Sequence, residues 1–123
     1  MIKVLVLDDD KDLVEMVCLM LTLSEIKSDC INDATALLSA LSRVKPDMLL
    51  MDIFMGDQDG RLICKELKSS RAYSTLPVLL YSASDVSPES LQESGADDFL
   101  AKPFQMEDLI GKVQRLAEVK GER

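Results

Sequence analysis

Short apolar runs alternate with helix-period segments along the whole chain, and no other feature narrows its fold so far. The runs are Val4-Leu5-Val6-Leu7, a weak one around Cys30-Ile31, Met48-Leu49-Leu50-Met51, Val78-Leu79-Leu80-Tyr81 after Pro77, and Phe99-Leu100-Ala101. Leu13, Val14, Val17 and Leu21 recur at helical spacing as far as about Ser24. Ala36, Leu37, Ala40, Leu41 and Val44 form a second stripe behind a cap at Asn32 or Asp33. A polar loop, Gly56 to Gly60, leads into a helix carrying Ile63, Cys64 and Leu67. A fourth helix starts near Pro88 and stops at Gly95, and Met106, Leu109, Ile110, Val113 and Leu116 line a fifth. Strands apolar on both faces, separated by helices, predict a doubly wound α/β domain: a five-stranded parallel sheet covered by helices on both sides. No linker or repeat divides it, so residues 1–119 are expected to form one domain and 120–123 a polar tail. Gly111, inside the last helix, has no evident reason there.

Composition removes whole classes of chemistry. The 123 residues include 14 Lys and Arg against 22 Asp and Glu, for a net charge of -8. Clustered positive charge is what binds phosphate backbones, so direct nucleic-acid binding is not expected. With no histidine, a Ser-His-Asp triad, a His-ligated zinc and a histidine general base are excluded. The three cysteines, Cys18, Cys30 and Cys64, lie in apolar stretches without C-x-x-C spacing and read as reduced core residues. No apolar run approaches the ~18 residues of a membrane span, and the first residues lack a signal-peptide pattern. A cytoplasmic protein without membrane contact is the expectation.

In a parallel sheet every strand's carboxyl end lies on one edge, and ligands bind there. Asp8-Asp9 follow the first run, Asp52 the third, Ser82 the fourth and Lys102 the fifth. Asp10 or Asp12 could equally cap the first helix, with Glu15 completing a capping box after Asp12. For Asp8, Asp9 and Asp52 topology forces proximity, and carboxylates so gathered repel by on the order of 4 kcal/mol per pair at 4 Å and a surface-like dielectric. Lys102 offsets part of this, and an all-oxygen, under-neutralised site suits a hard divalent cation, Mg²⁺ or Mn²⁺. Cation, carboxylate and lysine together make a phosphoryl-transfer site. Asp52 would be the in-line nucleophile, and Lys102 and the Ser82 hydroxyl would hold a phosphoryl oxygen.

The same residues resemble the response-regulator receiver domains of two-component signalling, relatives of the chemotaxis receiver, over essentially the whole chain. Val6-Leu7-Asp8-Asp9-Asp10 is similar to the family's acidic pair, Met51-Asp52-Ile53-Phe54-Met55 to its phosphoacceptor strand end, and Asp59-Gly60 to its loop into the third helix. Tyr81-Ser82-Ala83 matches the hydroxyl-plus-small position, and Gly95-Ala96-Asp97-Asp98-Phe99-Leu100-Ala101-Lys102-Pro103-Phe104 is the most specific stretch. The resemblance implies strand order 2-1-3-4-5. It implies Asp52 as phosphoacceptor, Mg²⁺ held by Asp8, Asp9, Asp52 and the Phe54 backbone carbonyl, and Lys102 paired with the phosphoryl group. It further implies a cis peptide to Pro103 and a switch through Ser82 and Phe99, read on the surface of the fourth helix, fifth sheet strand and fifth helix. Phe54 and Ser84 would flank the acceptor and tune the lifetime of the phosphoryl group.

Such a domain would catalyse its own phosphoryl uptake and loss without being a turnover enzyme. Its donor is a phosphohistidine. This chain has no histidine, so the donor would be a separate sensor histidine kinase or histidine phosphotransfer protein. A downstream protein target, an effector domain or a second phosphorylated copy would read the output surface. Two departures stand out. Gly56 replaces the frequent proline, which predicts a looser loop over the acceptor. The spacing from Ser82 to Lys102 is shorter than the resemblance implies, which leaves the fourth helix roughly two turns. Other readings have less support: a haloacid-dehalogenase-like phosphatase lacks its second aspartate because Phe54 stands there, and Asp8-Asp9-Asp10 would repel the phosphate of a flavodoxin-like FMN carrier. A receiver-like interaction module regulated without phosphorylation would not need the complete set of Asp8, Asp9, Asp52, Ser82 and Lys102.

Overall fold

The computed structural model describes residues 1–121. Its strands are β1 (Lys3–Leu7), β2 (Lys27–Ile31), β3 (Met48–Asp52), β4 (Phe54–Met55), β5 (Gln58–Asp59), β6 (Val78–Ser82) and β7 (Asp98–Ala101). The helices are α1 (Lys11–Leu23), α2 (Leu37–Val44), α3 (Gly60–Ser69), α4 (Pro88–Ser94) and α5 (Met106–Gly121), with a 3₁₀ turn at Ala34–Ala36 before α2. The main sheet is parallel throughout in the order β2-β1-β3-β6-β7, which is the five-stranded 2-1-3-4-5 arrangement expected once the small β4–β5 hairpin is set aside. Among the described residues no helix is long and apolar enough to cross a membrane.

Period-2 alternation along the buried strands builds two cores. Val4, Val6, Leu50, Leu79 and Tyr81 face α1 and α5, where Val17, Leu21, Leu109 and Val113 close over them. Leu5, Leu7, Leu49, Met51, Val78 and Leu80 face the other way, toward Leu37 and Leu41 of α2 and Cys64 and Leu67 of α3. Local chemistry sets the helix starts: the Asp10 carboxylate accepts from the Asp12 and Leu13 N–H groups, Asp59 from Arg61, and Ser87 from Ser90. Asp10 is therefore the cap of α1. The fourth helix is short, with Pro88 in its first turn and Gly95 at φ +77° ending it. The last helix continues through the first two residues of the expected tail, and Glu122 and Arg123 lie outside the described residues. Nothing in the structure explains Gly111.

Three expectations need correction. Cys18 and Cys30 are not reduced core thiols: they form a disulfide from α1 to β2, with Cα atoms 7.2 Å apart. β2 is an edge strand, so Cys30 is exposed, and α1 packs beside it and carries a half-buried Cys18 to the same place. Cys64 alone is free and buried, and burial pushes its thiol up to about 11. For the same edge-strand reason β2 is not apolar on both faces. Finally, Gly56 does not loosen its loop. It occupies φ +59° at the first central position of the two-residue turn joining β4 and β5, the type II′ pattern that closes a hairpin tightly.

Candidate functional site

The parallel register carries the ends of β1, β3, β6 and β7 to one edge, where Asp52 lies beside Tyr81 and Ser82 beside Ala101. Asp8, immediately beyond β1, is 0% exposed and Asp52, the last residue of β3, 6%. The Lys102 ammonium stands between them, 3.2 Å from Asp8 Oδ2 and 3.3 Å from Asp52 Oδ1. Asp9 completes the group from the exposed side, and one carboxylate oxygen from each of Asp8, Asp9 and Asp52 lies within 4.8 Å of the others. Topology thus places four of the expected residues in one pocket.

Three carboxylates face one ammonium, and the imbalance bears on Asp52. Burial first, and then the charge of Asp8, push its carboxyl up to about 6 against the opposing pull of Lys102. Asp8 is held by its neighbours: Oδ1 accepts the Asp10 N–H at 3.0 Å, and Oδ2 accepts the Tyr81 hydroxyl at 2.7 Å and the Lys102 ammonium. Its own N–H donates to the Ile31 carbonyl at 3.3 Å. Every oxygen donor here is hard and anionic, the set that suits a small divalent cation.

The remaining expected residues have partners of their own. Ser82 is 2% exposed, its Oγ accepts the Ser84 N–H at 3.0 Å, and its carbonyl accepts the Lys102 N–H at 2.9 Å. The Lys102-Pro103 peptide is cis. Phe99 is half-buried against the α2–α3 side of the core, together with Val86, Leu91 and Ala96. Phe54 is 46% exposed, with the Arg61 guanidinium 5.2 Å from its ring centroid.

Three features went unread in the sequence. A Cβ on Gly60 would lie 2.4 Å from the Asp52 carbonyl oxygen, so only glycine lets α3 start against the end of β3. The Gly60 N–H donates to the Ile53 carbonyl at 2.7 Å across that approach. Arg61 clasps Asp59 and reaches Ser90 Oγ on α4 at 3.3 Å, linking the β4–β5 hairpin to the fourth helix. Tyr81 sends its hydroxyl to Asp8. The signal for it was present, since a tyrosine in a buried strand needs a partner for its hydroxyl.

Residues 4–114 match the family described as the response regulator receiver domain. Among curated proteins, the chain is 32% identical over 116 residues to the response regulator MprA of Mycobacterium leprae, covering 93% of this chain and 50% of that protein. It is 32% identical over 114 residues to the DNA-binding response regulator MtrA of Mycolicibacterium paratuberculosis, covering 91% and 49%. It thus spans about half the length of these relatives. Among solved structures, a putative response regulator from Chloroflexus aurantiacus superposes with a TM-score of 0.87 at 29% identity, covering 94% of this chain and 97% of that one. The chemotaxis response regulator CheY4 of Vibrio cholerae gives 0.83 at 28%, covering 94% and 98%.

Proposed function

This chain belongs to the response regulator receiver domain family, and we propose that it is a phosphorylatable switch with Asp52 as the acceptor. The observation that carries this reading is the Lys102 ammonium 3.2 and 3.3 Å from two buried carboxylates that it cannot both neutralise, beside a third at Asp9. The donor set fits Mg²⁺, which Asp8, Asp9, Asp52 and the Phe54 carbonyl would hold; bound there, it supplies charge neutralisation for the incoming phosphoryl oxygens. Asp52 supplies the carboxylate oxygen that bonds to phosphorus as the donor's P–N bond breaks. The electron pair of that bond returns to the departing imidazole. Lys102 turns from the carboxylates to a phosphoryl oxygen, and the Ser82 hydroxyl leaves the Ser84 N–H for another.

The added charge and acceptor oxygens would draw Ser82 inward and let Phe99 follow, changing the surface of α4, β7 and α5. The donor would be a histidine kinase or phosphotransfer protein, and the reader a downstream protein, an effector domain or a second copy. Uptake and loss are self-catalysed in this reading, Phe54 and Ser84 set the lifetime, residues 1–119 are the working domain, and the setting is cytoplasmic. Incubation with Mg²⁺ and a small phosphodonor, followed by intact-mass measurement, tests the reading. One acid-stable, hydroxylamine-labile phosphoryl group is expected on the parent and none on Asp52→Asn. A parent that takes up none, and binds no beryllofluoride with Mg²⁺ present, would overturn it.

A further inference from the structure

We infer that Tyr81 is a positioning residue of the acidic pocket, fixing Asp8 with its hydroxyl and seating Lys102 on its ring, and thereby setting the pocket's affinity for a divalent cation. The inference rests on the pocket being a cation site, as proposed above. Tyr81 is fully buried, with its ring 6.0 Å from that of Phe104 and tilted by 51°. That packing leaves the phenol little freedom, and its oxygen ends 2.7 Å from Asp8 Oδ2. The Lys102 ammonium lies 4.3 Å from the ring centroid, where the negative face of the ring attracts it. One side chain therefore touches both the buried Asp8 carboxylate and the Lys102 ammonium that lies against it.

The division of donors explains why this matters. Lys102 is shared between Asp8 and Asp52, so neither carboxylate has it alone. The Tyr81 hydroxyl is a second donor on Asp8 Oδ2, and the Asp10 N–H holds Oδ1, so the Asp8 carboxylate cannot rotate away from its neighbours. A leucine or valine at this strand position would fill the same core and supply neither contact. Removing such a supporting hydrogen bond from a metal-ligating group typically costs about 10–100-fold in metal affinity.

Tyr81→Phe keeps the ring and deletes the hydroxyl. Mg²⁺ binding to parent and variant, measured by calorimetry alongside metal-free thermal melts, should show a folded variant that binds about tenfold or more weakly. Binding by both within twofold would overturn the role of Tyr81 alone, whereas a parent that binds no Mg²⁺ would overturn the cation site beneath it. A second measurement keeps Tyr81 itself in place. The chain has two tyrosines and no tryptophan, so in a Tyr73→Phe background Tyr81 is the sole emitter. A carboxylate that accepts a phenol proton quenches its emission, so Mg²⁺ drawing on Asp8 should brighten Tyr81. Mg²⁺ binding without a change in that emission would overturn the inference.

Discussion

The two ends of β7 carry the same ingredients, carboxylates beside basic side chains, in opposite proportions. At its start one carboxylate, Asp98, receives both Lys112, at 3.0 Å, and Arg115. Just beyond its other end one ammonium, Lys102, is divided between Asp8 and Asp52. Burial acts against the charged form of both aspartates. At Asp98 the Phe99 N–H, Lys112 and Arg115 overcome it and hold the carboxyl below its usual value. At Asp52 burial and the charge of Asp8 prevail over Lys102 and push the carboxyl up to about 6. The first cluster is complete and fastens α5 to its strand. The second lacks positive charge, and that lack is what a cation or a transferable group can exploit.

The most direct way to break the contrast is to remove the overworked cation. Lys102→Ala leaves two buried carboxylates without it and should cost about 3 kcal/mol in metal-free urea melts at pH 8. Much of that loss should return on adding Mg²⁺, which supplies the missing charge. A variant as stable as the parent would show that the pocket was not short of charge.

Asp52→Asn should act in the opposite direction, because it removes one of the competing carboxylates. The raised carboxyl of Asp52 means that the native chain holds this proton more tightly than the unfolded chain does. This group's contribution to stability is therefore greatest below the usual carboxylate range and falls as pH rises to about 6, above which it is gone. The asparagine variant loses that dependence and should exceed the metal-free parent by about 2 kcal/mol at pH 8 while matching it more closely near pH 4. An asparagine variant weaker than the parent at pH 8 would reverse the assignment of strain to this site.

How much of this was legible in the sequence follows from what chain position can express. Asp8, Asp9, Asp52 and Lys102 could be placed together because apolar runs mark strands and a parallel sheet aligns their ends. Pro88 and Gly95 likewise announced a short α4 by their own backbone restrictions. Contacts that cross elements left no such trace. Cys18 and Cys30 sit on a helix and an edge strand without a recognisable spacing, and only the packing of α1 beside β2 joins them. Tyr81 looked like one more apolar strand residue, although its hydroxyl spans from β6 to Asp8. Gly60 could be named as part of a motif, but its reason, the Asp52 carbonyl behind it, needed coordinates.

The smallest expected effects belong to the complete end of β7, and they sharpen the contrast by their size. Arg115 is the more exposed partner, with 62% of its side chain open to solvent, and Lys112 remains when it is removed. Arg115→Gln should therefore cost less than about 0.5 kcal/mol. Asp98→Asn removes the shared acceptor and should cost about 1 kcal/mol at pH 7. Its sign with pH is opposite to that of Asp52. A lowered carboxyl contributes stability that is fully present above the usual carboxylate range and is lost as pH falls through the depressed value. Acidification should thus strengthen the pocket while it weakens the α5 fastening, and Asp98→Asn should flatten only the second slope. Because Asp98 lies at the far end of the strand from Lys102, the same variant should leave Mg²⁺ affinity unchanged in calorimetry. A several-fold loss of affinity would mean that the two clusters are coupled through β7 and that the fastening is part of the switch.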